Sequence, residues 1–159
     1  MPPFVGDLVA ANLDGFRSYP PNDGTPELLS AISAWIARRH GARVGPERIM
    51  ALNGTREGLY NAAMALCPEE KRGRRPVVLI PNPFYQVYMV AALSVGAEPV
   101  FVPATAETGH LPDFGALPAE VLDRAAMAYV CSPANPQGAC ADRGYWSRLL
   151  ALAERHGFA

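Results

Sequence analysis

Lysine is nearly absent from this chain. Of 159 residues only Lys71 is a lysine, and the 14 basic residues stand against 15 acidic ones for a net charge of −1. This balance leaves no electrostatic footprint for nucleic acid or an anionic membrane, and favours small neutral or acidic partners. Cysteine is sparse as well: Cys67, Cys131 and Cys140 are an odd number without Cys-x-x-Cys spacing, and His40, His110 and His156 are scattered. Neither a disulfide framework nor a zinc site is indicated. The longest apolar run, around Met89 to Ala97, is far short of the roughly 20 residues that span a bilayer. Met1-Pro2-Pro3-Phe4 lacks the basic and then apolar regions of a signal peptide. The chain reads as soluble and cytoplasmic.

What is present suffices for a core, since half the residues are apolar and one domain of this length buries about two-thirds of its unfolded surface. Thr25 is a good N-cap, Pro26 fits the first helical position, and Leu28, Leu29, Ile32, Trp35 and Ile36 form one stripe before Gly41. Ile49 to Leu52 reads as a strand feeding the turn Asn53-Gly54, and a helix is expected from about Thr55 to Leu66, stopped by Pro68. Val77 to Ile80 is apolar at every position, as a strand covered on both faces should be. A helix from about Gln86 to Gly96, a strand at Pro99 to Val102, a helical turn in Pro118 to Arg124, a strand at Ala126 to Cys131 and a helix from Tyr145 to His156 follow. The alternation predicts an α/β fold, a mainly parallel sheet with helices on both faces. The basic stretch Lys71 to Arg75 reads as a solvated loop.

In such sheets ligands sit beyond the carboxyl ends of the strands, and three of those ends carry unusual residues. Asn53-Gly54-Thr55-Arg56 combines a backbone free to take positive φ, a hydroxyl, a planar cation and a helix N-terminus, all suited to phosphate. Taken alone, the stretch reads first as a turn with its N-cap. Tyr85 supplies an aromatic face, and Asn135, between two prolines, a stiffly held amide. Together they describe a site for a flat, phosphorylated ring.

Four motifs in this order and spacing carry a resemblance: Tyr19-Pro20-Pro21 with Gly24 and Leu28; Asn53-Gly54-Thr55-Arg56-Glu57; Pro81-Asn82-Pro83-Phe84-Tyr85 with Tyr88; and Ser132-Pro133-Ala134-Asn135-Pro136-Gln137-Gly138. The chain resembles the fold type I, class I/II aminotransferases that use pyridoxal 5′-phosphate, from Tyr19 to Phe158. The resemblance implies that Gly54, Thr55 and Arg56 hold the cofactor phosphate, that Tyr85 stacks on its ring, and that Asn135 hydrogen-bonds the phenolic oxygen. It implies that Tyr19 reaches the phosphate of a neighbouring subunit in a homodimer. It also implies cis bonds before Pro83 and Pro136. Gln137 stands where Thr is usual. Within the family the motifs look most like succinyldiaminopimelate aminotransferases of the lysine and peptidoglycan route, which act on an amino acid and a 2-oxo acid.

The same resemblance requires a Schiff-base lysine and an aspartate at the pyridine nitrogen. Lys71, in a charged loop before a strand, is not placed to be that lysine, and the aspartate would follow Phe158. The expectation is an amino-terminal portion of an aminotransferase, residues 1–24 an arm and 25–159 part of the large cofactor-binding domain, inactive alone. Another pyridoxal phosphate enzyme, a carbon–sulfur lyase or a decarboxylase, fits the same motifs, as does a sensing domain on this scaffold. A dinucleotide-binding domain is disfavoured because no Gly-x-Gly-x-x-Gly follows the first strand.

Overall fold

A computed structural model describes residues 1–159. The backbone groups into two compact units, Met1–Asn53 and Gly54–Ala159.

The first unit holds helices α1 (Phe4–Ala11) and α2 (Pro26–His40), with a short 3-10 turn at Leu13–Arg17. The start of α2 is as the sequence predicts: Thr25 accepts a hydrogen bond from the Leu28 N–H at 3.3 Å, and Pro26 opens the first turn. Gly24 has φ +95°, and a Cβ there would meet the Ala51 side chain at 2.8 Å, so both conformation and space reserve the position for glycine. The expected strand at Ile49–Leu52 is not formed. Besides the local Ile49 N–H to Pro46 O bond at 3.1 Å, one backbone bond reaches this run, from Ala51 N–H to Asp23 O at 3.2 Å, and no neighbouring strand pairs with it. An apolar run without a ladder partner stays extended but does not become sheet.

The second unit is a three-stranded parallel sheet in the order β2-β1-β3, with β1 at Val77–Asn82, β2 at Glu98–Pro103 and β3 at Ala125–Ala128. Helices α3 (Thr55–Leu66), α4 (Gln86–Ser94), α5 (Ala119–Leu122) and α6 (Arg143–His156) complete it. The central strand explains the layers. Val77, Val78, Leu79 and Ile80 are all fully buried, and alternation sends Val78 and Ile80 into one cluster and Val77 and Leu79 into another. The first cluster packs Ala63 of α3 with Tyr88, Ala91 and Ala92 of α4; the second packs Leu122 of α5 with half-buried Leu149 and Leu152 of α6. Each buried strand side chain contributes about 2 kcal/mol of hydrophobic stabilisation. The α/β class and the helices on both faces are as predicted.

β3 ends at Ala128 rather than Cys131, although Tyr129 N–H still donates to Leu79 O at 2.9 Å. Beyond it the chain turns out of the sheet into Ser132-Pro133. The basic stretch is an exposed turn, as expected, apart from half-buried Lys71. Lys71 and Arg74 bridge across a tight turn with Arg72 and Gly73 at positive φ, and three of its cations are engaged. The Lys71 ammonium donates to the carbonyls of Ala125, His156 and Gly157. Arg72 pairs with Asp123 at 2.9 Å, and Arg75 donates to Gly96 O and Ala97 O at 2.8 and 3.0 Å. The turn brings these side chains to the ends of other elements, where backbone carbonyls accept from Lys71 and Arg75 and the Asp123 carboxylate accepts from Arg72.

Candidate functional site

The site lies at the carboxyl ends of the strands within the second unit. Its first wall is the N-terminus of α3. Gly54 is the N-cap, at φ +111° and ψ 152°, and no side chain caps the helix. Its leading N–H groups and the Thr55 hydroxyl are left to an outside acceptor, with the helix dipole adding partial positive charge. Apart from Gly54 and its two chain neighbours, no atom lies within 4 Å of the position a Cβ on Gly54 would take. These features fit a phosphate group.

The second wall is Tyr85, N-cap of α4 and half-buried. Its ring meets Tyr88 edge-on, centroids 5.9 Å apart at 87°. The Arg56 Nε–H donates to the Tyr85 hydroxyl at 2.6 Å, with the guanidinium carbon 5.6 Å from the ring centroid. This contact joins the N-terminus of α3 to the segment that follows β1. The segment that follows β3 is joined by a cleft that Tyr85 and Asn135 both line, together with Pro83, Tyr88, His110 and Cys131. Asn135, one of the residues lining the cleft, is exposed, and its side-chain amide makes no hydrogen bond to protein. The bonds before Pro83, Pro133 and Pro136 are all cis, one more than the resemblance implied.

Thus Gly54, Thr55, Arg56, Tyr85 and Asn135 belong to one constellation. Tyr19 belongs to the first unit, where it is 99% exposed.

Tyr88, named in the third motif, is backed by a residue that the sequence reading did not single out, Tyr129. Tyr88 is buried and stacks on Tyr129, centroids 4.3 Å apart and 13° from parallel. The Tyr129 hydroxyl donates to Leu59 O of α3 at 2.6 Å. Burial, then the adjacent Tyr88, raises the Tyr129 phenol to about 12, and burial followed by the neighbouring Cys131 thiol moves Tyr88 up as well. Both rings stay neutral and form a rigid backing. Tyr88 was legible from its place three residues beyond Tyr85, which puts both on neighbouring helix positions. Tyr129 and His110 carried no local signal. Lys71 is remote in role: its ammonium is committed to three carbonyls, and burial, followed by Arg72, lowers its pKa.

No helix is long and apolar enough to cross a membrane.

Comparison with known proteins agrees with this geometry. Residues 7–159 match the family model for aminotransferase class I and II. The chain is 34% identical over 143 residues to an LL-diaminopimelate aminotransferase of Dehalococcoides mccartyi, covering 89% of this chain and 35% of that protein. It is 34% identical over 157 residues to transaminase BacF of Bacillus subtilis, covering 98% and 38%. An aminotransferase structure from Neisseria meningitidis superposes with a TM-score of 0.92 at 33% identity, covering 99% of this chain and 39% of that one. The chain therefore spans under two-fifths of the length of these relatives. Family match, relatives and fold agree, and the chain belongs to the class I and II aminotransferases.

Proposed function

We propose that the protein carrying this chain transfers an amino group between an amino acid and a 2-oxo acid, and that residues 54–135 provide the phosphate and ring half of its site. Class I and II aminotransferases depend on pyridoxal 5′-phosphate; when bound, it supplies the electron sink for amino-group transfer. The observation that carries the reading is the convergence of an uncapped helix N-terminus, a fixed tyrosine and a free amide at one sheet end. Gly54, Thr55 and the backbone N–H of Arg56 hold the phosphate; Tyr85 stacks on the ring; Asn135 donates its amide to the ring's phenolic oxygen. Residues 25–159 are then part of the large cofactor-binding domain and 1–24 an arm, in which Tyr19 reaches a second subunit of a homodimer.

For the amino donor we propose diaminopimelate or its N-succinyl derivative, with 2-oxoglutarate as acceptor. The Asn-Gly-Thr-Arg-Glu and Pro-Phe-Tyr-Gln-Val-Tyr motifs and the diaminopimelate relative support it. The test is amino transfer by the complete enzyme with each donor in turn. Turnover of a diaminopimelate donor at least tenfold above that of alanine or aspartate is expected; the reverse order sinks this assignment and leaves the cofactor reading standing. Because Lys71 is held elsewhere, the 159-residue chain by itself transfers no amino group.

A further inference from the structure

Arg56 occupies the first turn of α3, where a cation next to a phosphate site would ordinarily be assigned to the phosphate. Its side chain does something else. The Nε–H is spent on the Tyr85 hydroxyl at 2.6 Å, and the guanidinium carbon lies 5.6 Å from the ring centroid. A guanidinium is a rigid planar fork, so committing Nε sets the orientation of the whole group. Twenty-nine residues separate the two partners, and the bond ties the helix that presents the phosphate N–H groups to the N-cap of the next helix. Tyr85 is thereby held at two points: at its hydroxyl by Arg56 and at its ring edge by Tyr88, 5.9 Å away and near perpendicular. Tyr88 is itself fixed by its stack on Tyr129. An aromatic wall without the first restraint would keep its χ angles free and would have to be ordered when a ring binds against it.

We propose that Arg56 is a positioning residue: its side chain locks Tyr85 as the stacking wall, and only its backbone N–H serves the phosphate. The lock is a property of the chain itself; what the wall meets rests on the cofactor reading above.

Two measurements test it on the 159-residue chain. The first is NMR of ring-13C-labelled tyrosine. Arg56→Gln shifts the Tyr85 ring signals and sharpens them toward free rotation, while Tyr88 and Tyr129 stay in place and report an intact fold. Unmoved Tyr85 signals overturn the proposal. The second is binding of 4′-deoxypyridoxine 5′-phosphate, which has no aldehyde to react with amines, beside inorganic phosphate. Arg56→Gln and Tyr85→Phe each weaken the ring-bearing probe about tenfold, the size expected for loss of one charge-assisted hydrogen bond, and the double variant is no more than twofold weaker than either. Losses that multiply to about a hundredfold overturn it. So does a result in which Arg56→Gln weakens inorganic phosphate as much as the ring-bearing probe while Tyr85→Phe changes neither. If the unsubstituted chain binds no ring-bearing probe but Tyr85 still responds to Arg56→Gln, the lock stands and the cofactor reading fails.

Discussion

Replacing Lys71 by methionine removes the ammonium and keeps the length of its stem. Three carbonyls then lose a donor: Ala125 at the head of β3, and His156 and Gly157 at the end of α6. A hydrogen bond to a charged group contributes about 1.5–3 kcal/mol net, and a cation at a helix C-terminus adds about 0.3–1 kcal/mol through the dipole. The three bonds do not simply add. The helix-end carbonyls turn to water, and the desolvation cost that the ammonium carried in the folded chain, which its lowered pKa records, is removed with it. Ala125 is fully buried, so its carbonyl is the one that water replaces least well. Weighing these, K71M should destabilise the second unit by about 3 kcal/mol, a fall in melting temperature of about 6–12 °C for a chain this long. Urea unfolding followed by tyrosine fluorescence measures it, with the unfolding slope unchanged. A loss under about 0.5 kcal/mol would refute the clamp and return Lys71 to the solvated loop its sequence suggests.

Alkali should act through two tyrosines. Tyr145, whose hydroxyl donates to Pro112 O at 2.9 Å, is raised to about 12 by burial and then by Asp113, and Tyr129 likewise to about 12. Unfolded tyrosines ionise near pH 10, so the unfolded chain sheds protons first and stability falls between about pH 10 and 12; Y129F or Y145F makes that decline shallower. In acid the sign reverses. Asp123 is lowered by its hydrogen bond from His156 and then by Arg72, so its contribution is complete above the ordinary aspartate range and disappears as pH falls through its depressed value; D123N abolishes that part of the acid slope. Gly54→Ala meets no steric obstacle but places a Cβ residue at φ +111°, which costs about 1–3 kcal/mol, and shifts the N–H groups enough to weaken phosphate binding measurably by calorimetry.

How much of this was legible before any coordinates follows from how local each signal is. Thr25-Pro26 and the stripe behind it specify α2, because caps and periodicity act within a turn or two. The four apolar residues from Val77 announce a strand covered on both faces, and Gly54 to Arg56, Tyr85 and Asn135 stand at strand and helix ends where chain direction alone brings them together. Ile49 to Leu52 looked like sheet for the same reason, yet a strand needs a neighbour, and no local pattern supplies one. The charged turn is exposed as expected, but its partners were not legible. Lys71 and Arg72 are solvated in any reading of their own neighbourhood; their partners at Ala125, His156 and Asp123 lie about fifty to eighty-five residues away. The Arg56–Tyr85 and Tyr129–Leu59 bonds were hidden likewise, since their partners lie 29 and 70 residues apart.

The measurement closest to the central claim is a two-dimensional amide NMR titration of the chain with 4′-deoxypyridoxine 5′-phosphate. The account predicts a saturable response centred on the amides of Gly54, Thr55 and Arg56, with Tyr85 and the Asn135 side-chain amide moving at the same concentration. A response centred on Lys71 and its turn, or a uniform one without saturation, would contradict it.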